Sequence, residues 1–107
     1  IKKLKKLPII LPKIQSNLKS GYHLFVIKLR NKKERDLLIK HLFKNKIQTS
    51  INYKPLFLNQ FYNSKFDKNK FTNSINYYSN SLCLPFFYGL KNFEIKKITK
   101  KITDLYK

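Results

Sequence analysis

The sequence predicts an α+β fold: a small, mainly antiparallel sheet of three to four strands with helices packed on it. Three observations lead there. Residues 22–29 form an aromatic and β-branched run, introduced by Gly21, that reads as a central strand. Ile95, Ile98, Ile102 and Leu105 recur at helical spacing near the end of the chain. Strand-like and helix-like segments then mix without regular βαβ alternation, which disfavours a doubly wound parallel sheet.

The elements follow in order. Residues 1–7, basic and amphipathic, read as the tail of a helix begun upstream, stopped by Pro8. Residues 9–11 lie between Pro8 and Pro12, so they are an edge strand, because proline cannot donate to an inner ladder. Residues 13–20 are a polar loop. After the 22–29 strand, Asn31 caps a helix, with Glu34 three residues on as in a capping box. That helix runs to about Asn45, with Leu38 and Leu42 inward and Leu37 and His41 alongside. Residues 47–53 read as a second strand ended by Pro55, and residues 63–72 as a polar stretch. A short helix over 71–79, with Tyr77 and Tyr78 turned inward, precedes a third strand at 82–86. Gly89 marks a turn, and the terminal helix follows from Asn92.

At 107 residues the chain is one domain, spanning 1–107. Its formal charge is +19, carried almost wholly by lysine, with Arg30 and Arg35 the only arginines. Proteins that read bases or clamp phosphates favour arginine for its planar, bidentate fork. Lys, Asn, Ile, Phe and Tyr together exceed half the chain. All five have AT-rich codons, so base composition accounts for much of the charge. The single cysteine, Cys83, sits in an apolar run and reads as a small buried hydrophobe. With no second cysteine there is no internal disulfide, and the expected setting is cytoplasmic. No apolar stretch reaches the ~20 residues of a membrane span, and no membrane partner is expected.

The motifs of self-contained chemistry are missing. Glu34, Asp36, Asp67, Glu94 and Asp104 show no pairing that suggests acid–base work, and His23, His41 and Cys83 lack metal-site spacing. There is no glycine-rich phosphate loop and no nucleophile elbow. Aromatic residues amid lysines leave one alternative, a small lysine-rich nucleic-acid-binding module. Against it, the aromatics fall where a core would want them, and no RNA-binding motif appears, so no specific nucleic acid is expected.

Four segments in register resemble one known family. Residues 21–27 (Gly-Tyr-His-Leu-Phe-Val-Ile) are similar to the Tyr-His-Leu strand of the DegT/DnrJ/StrS sugar aminotransferases. Residues 46–49 resemble that family's entry to its next strand. Residues 51–62 (Ile-Asn-Tyr-Lys-Pro-Leu-Phe-Leu-Asn-Gln-Phe-Tyr) resemble its "His-Tyr-x-Pro-Leu-His-Leu" stretch, and residues 81–90 its "Ser-Leu-Pro-Leu-Phe-Pro-Gly-Leu" stretch. Asn52 and Phe57 stand where many members have histidine, Tyr88 where proline is usual, Lys46 where glycine is usual, and Lys91 where Ser or Thr commonly caps.

The resemblance implies the C-terminal small domain of a fold-type I enzyme, lacking the N-terminal large domain in which a lysine would hold pyridoxal phosphate. It implies amino transfer from glutamate to a keto sugar nucleotide, a homodimer, and residues 1–7 as the end of an interdomain helix. None of the 22 lysines matches the Schiff-base motif, so the chain alone is expected to bind no cofactor and to be inactive. Asn52, Tyr53 and Lys54 are the expected sugar-nucleotide contacts, with Lys54 a point charge for a diphosphate. Tyr22, His23, Phe57 and Phe61 are expected at the cleft or an interface. The apolar 54–62 loop calls for a partner surface, whereas His23 reads first as packing.

Overall fold

In a computed structural model that describes residues 3–107, the order of elements is strand, helix, helix, strand, helix. These are β1 (Phe25–Lys28), α1 (Lys32–Lys44), α2 (Thr72–Asn80), β2 (Ser81–Leu84) and α3 (Asn92–Leu105). Single 3₁₀ turns lie at Leu4–Lys6, Leu56–Leu58 and Lys68–Phe71. Ile1 and Lys2, the start of the expected interdomain helix, lie outside the described residues.

β1 and β2 pair antiparallel, Phe25 opposite Leu84 and Ile27 opposite Leu82. Side chains alternate across a sheet, so these four share one face. That face meets Leu38 and Leu42 of α1 and Ile102 of α3; together with Leu4, Ile9, Leu29 and Ile47 they make one core. The α+β architecture is as expected, with fewer true strands. Residues 9–11 and 47–53 each shrink to one bridge, Ile10 to Lys28 and Ser50 to Cys83. The spatial order Ile10, β1, β2, Ser50 is thus a four-membered sheet whose outer members are single rungs. Pro8 and Pro12 bracket the first and bring no N–H with which to extend its ladder beyond the Ile10 rung. The second enters through Lys46 at φ 59 and turns off toward Pro55 after Ser50. β1 is also shorter than the 22–29 run, because Tyr22 takes a left-handed φ of 49 that strand pairing does not tolerate.

α1 begins as its sequence requires: the Asn31 Oδ1 accepts from the Glu34 N–H at 2.9 Å. Glu34 reaches back to the Arg30 N–H, one residue before the cap. The inward stripe is Arg35, Leu38 and Leu42, a 3–4 spacing; Leu37 falls outside it and is 55% exposed, against expectation. His41 is half-buried, and its Nε2–H donates to the Lys101 carbonyl of α3 at 2.9 Å. The carbonyl can only accept, which fixes the tautomer. Arg35, 4% exposed, donates to Asp36 Oδ1 from Nε and Nη2 (2.9 and 2.7 Å) and to the Tyr78 carbonyl from Nη1 (3.0 Å). That last bond satisfies a carbonyl in the last turn of α2 and ties α1 to it.

Of the two α2 tyrosines, Tyr78 turns partly inward and Tyr77 is exposed, since successive helical residues diverge by about 100°. In α3 Ile102 is fully buried and Ile98 and Leu105 half-buried, whereas Ile95 is exposed at the helix's outer end. Lys91 cannot accept at the cap; instead the Glu94 carboxylate takes the Lys91 N–H at 2.8 Å, half of a capping box.

The α3 stripe therefore has unequal members. Ile102→Ala is expected to cost about 2–5 kcal/mol in urea unfolding, and Ile95→Ala under about 1 kcal/mol. Equal costs would mean that α3 is rotated relative to this description.

Candidate functional site

Ser50 exchanges both backbone hydrogen bonds with Cys83, at 2.8 and 3.2 Å, and so anchors the chain at the outer edge of β2. Ile51 packs on the core, and then the chain lifts away. Asn52 is half-buried, Tyr53 is 71% exposed and Lys54 is exposed. The Asn52–Tyr53 peptide is cis. Pro55 opens the 3₁₀ turn Leu56–Leu58, which points Phe57 inward, where it is buried. Three polar side chains of different kinds thus stand on a ledge, fixed below by the Ser50 rung and beyond by Phe57.

The loop after the ledge folds largely on itself. Phe57 stacks on Phe71 with centroids 4.7 Å apart and planes 22° apart. Phe71 meets Phe66 edge-on at 6.0 Å, Phe66 meets Tyr62 at 6.4 Å, and Tyr62 meets Phe61 at 4.9 Å. Lys65 sets its ammonium 4.3 Å from the Phe61 ring centroid, a cation–π contact. Phe66 and Phe71 were legible as aromatics but sit in the stretch the sequence marks as polar, so their part in this ring chain is new. Phe61 and Leu56 still leave apolar surface exposed.

The sequence-expected residues fall into two groups. Since Phe25 faces Leu84, Tyr22 and His23 continue past that end of β2, toward Pro85–Phe87; both are exposed, and the Tyr22 N–H donates to Ser20 Oγ at 3.0 Å. Since the Ser50–Cys83 bridge is also antiparallel, Asn52 onward heads toward the Ser81 end. Asn52, Tyr53 and Lys54 therefore lie on the side from which the 54–62 loop departs, with Tyr22 and His23 at the opposite end of the sheet.

Cys83 lies directly beneath the ledge. Burial pushes its thiol up, against smaller opposing hydrogen bonds from the Asn52 backbone and the Ser50 side chain. It is a buried spacer, as its apolar sequence context suggests; its contact with Asn52 had no sequence signal.

The ledge is equipped to bind. An amide, a phenol and an ammonium recognise hydroxyls, a ring face and an anion. His41 is tied to α3, and among the described residues no group of histidine, cysteine and carboxylate side chains could hold a metal. Among the described residues no helix is long and apolar enough to cross a membrane. A separate pocket of about 210 Å³ opens between the sheet and α3, lined by Leu4, Phe25, Leu84, Phe86, Leu90 and Ile98 among others. Its lining is apolar apart from Thr99, so it offers a phosphate nothing to hold. The described lysines are exposed, apart from half-buried Lys28 and Lys101.

With this geometry established, known proteins show where such a domain occurs. The DegT/DnrJ/EryC1/StrS aminotransferase family profile matches residues 1–103. The chain belongs to that family. Spr1654 from Streptococcus pneumoniae, in its PMP form, superposes with a TM-score of 0.87 at 24% identity, over 97% of this chain and 27% of that one. DesV from S. venezuelae, in complex with a ketimine intermediate, gives 0.87 at 22% identity, over 97% of this chain and 28% of that one. PseC from Helicobacter pylori, an aminotransferase involved in pseudoaminic acid biosynthesis, gives 0.78 at 22% identity, over 96% and 29%. At these identities the solved structures speak for the fold, and the family chain spans little more than a quarter of each. Comparison with curated proteins gives no match.

The Cys83 thiol reports on the ledge's foundation. In the folded chain at pH 8 it is expected to react with a disulfide reagent on the order of a hundredfold more slowly than in urea. Equal rates would show that the Ser50 edge is open.

Proposed function

We propose that the chain is the C-terminal small domain of a pyridoxal-phosphate-dependent aminotransferase that passes an amino group from glutamate to a keto sugar nucleotide. It works in the cytoplasm as part of a homodimer, and the chain alone is inactive. The observation that carries this reading is the family match over residues 1–103 in a chain that spans about a quarter of its structural relatives. Residues 1–7 would then be the end of the interdomain helix.

The cofactor does not fit the residues present. A Schiff-base lysine in this fold type needs an enclosed position beside a phosphate cradle, and the described lysines are solvent-facing or half-buried. The apolar pocket carries no lysine. Cofactor chemistry is therefore assigned to a large domain outside these 107 residues.

What this chain contributes is one wall of the substrate cleft. Asn52 is half-buried and so held in place, suited to a sugar hydroxyl. Tyr53 offers a ring face, and Lys54 a mobile point charge suited to a diphosphate. Phe57 fixes the ledge from beneath, while Phe61 and Leu56 present the apolar margin that the large domain or second subunit would cover. Tyr22 and His23, at the other end of the sheet, belong to an interface in this reading.

The test uses the full-length enzyme. Asn52→Ala or Lys54→Ala is expected to raise KM for the sugar nucleotide about tenfold and to leave KM for glutamate nearly unchanged, as loss of binding to one substrate requires. Equal damage to both half-reactions would show that the segment only holds domains together.

A further inference from the structure

The five acidic side chains of the chain are all engaged locally. Glu34 pairs with Arg30, Asp36 with Lys32 and Arg35, and Asp104 with Lys107. Asp67 accepts from the Asn69 N–H and Glu94 from the Lys91 N–H. A groove of about 590 Å³ runs along α3, with Lys3 at its margin. Lys3, Lys96, Lys100 and Lys107 line it, and Asp104 is the one acid there. Asp104 lies 3.4 Å from Lys107, and Lys3, Lys96 and Lys100 line the groove with no salt bridge among the described residues.

Helical spacing makes this a local feature, beyond the general lysine excess. Lys96 and Lys100 are one turn apart on one face, where like charges repel. Lys3, just before the first 3₁₀ turn, adds a third lysine to the lining. An anion with several charges in a row relieves that repulsion more than separate monovalent ions do, because its binding releases the condensed counterions.

The lining selects among polyanions. Ile95, Thr99 and Thr103 complete it, with no aromatic ring on which a base would stack and no arginine to read one. Its concavity does not match a flat lipid surface. Lysine ammoniums are compact point charges, suited to phosphate oxygens along a bare chain. We propose that this groove binds linear inorganic polyphosphate. The proposal stands apart from the aminotransferase reading, since the groove is formed by elements other than the ledge.

The experiment is calorimetric titration of the 107-residue chain with tripolyphosphate and with a longer polyphosphate. A single-stranded oligonucleotide of equal charge and vesicles of phosphatidylglycerol are titrated in parallel. The variant Lys96→Gln/Lys100→Gln is compared with Lys68→Gln/Lys70→Gln, which removes the same charge from the exposed turn Lys68–Phe71. Glutamine keeps lysine's helix propensity, and circular dichroism checks the fold. Lys3→Gln, outside α3, repeats the test should the groove double variant misfold. The expected result is polyphosphate binding that weakens about tenfold in the groove double variant and less than about twofold in the control. Log affinity should also fall less steeply with log salt in the groove variant, as two phosphate contacts are lost. Equal weakening in both variants would reduce the effect to bulk charge and overturn the proposal. So would tighter binding of the oligonucleotide or the vesicles, or no binding of polyphosphate at low salt.

Discussion

The rung in which Ile27 faces Leu82 is the constraint on which the rest of this domain depends. Both side chains are wholly buried, and both lie on the face that receives α1 and α3. A two-stranded ladder alone is marginal in water. This one persists because Leu38, Leu42 and Ile102 close over the rung. The same rung sets the height of everything at the sheet's edge. It places Cys83 where its backbone takes Ser50, and through Ser50 it fixes where Asn52, Tyr53 and Lys54 leave the sheet.

Polar contacts hold the helices in register around that core. The Arg35 guanidinium is buried yet paired, and it joins the first helix to the last turn of the second. His41 joins the first to the third. At Asp36 burial favours the neutral acid, but hydrogen bonds from Lys32 and Arg35 together outweigh it and hold the carboxyl below its ordinary range. Glu34 is held low mainly by its hydrogen bonds with Arg30. Depressed carboxyl values mean stability that is present above the unfolded values near 4 and is lost as pH falls through the folded ones. Repulsion among lysines acts against the fold at any pH where they are charged. These few acids pair within or beside their own elements, and the links between helices come from Arg35 and His41.

Much of the fold was legible because the core residues obey simple periods. Leu38 and Leu42 at i, i+4, the cap at Asn31 and the Ile98–Ile102 step all read directly from the sequence. Edge behaviour was less legible. Residues 47–53 look like a strand, but pairing stops at Ser50, since strand formation depends on a partner's reach as much as on propensity. Leu37, Tyr77 and Ile95 are apolar and exposed because the helix stripes are narrower than their apolar content. The ledge was legible only as a resemblance: nothing in the spacing of Asn52, Tyr53 and Lys54 announces a binding surface. That Tyr22 and His23 lie at the opposite end of β2 followed from register, which the sequence does not carry.

In the proposed function this domain supplies a binding wall and the cofactor is held by residues outside it. The direct test is to mix the chain with pyridoxal phosphate, reduce with borohydride and map the labelled peptides. Exposed lysines are expected to give scattered, substoichiometric adducts. A single lysine labelled stoichiometrically, with transamination of a keto sugar by the chain alone, would contradict the account.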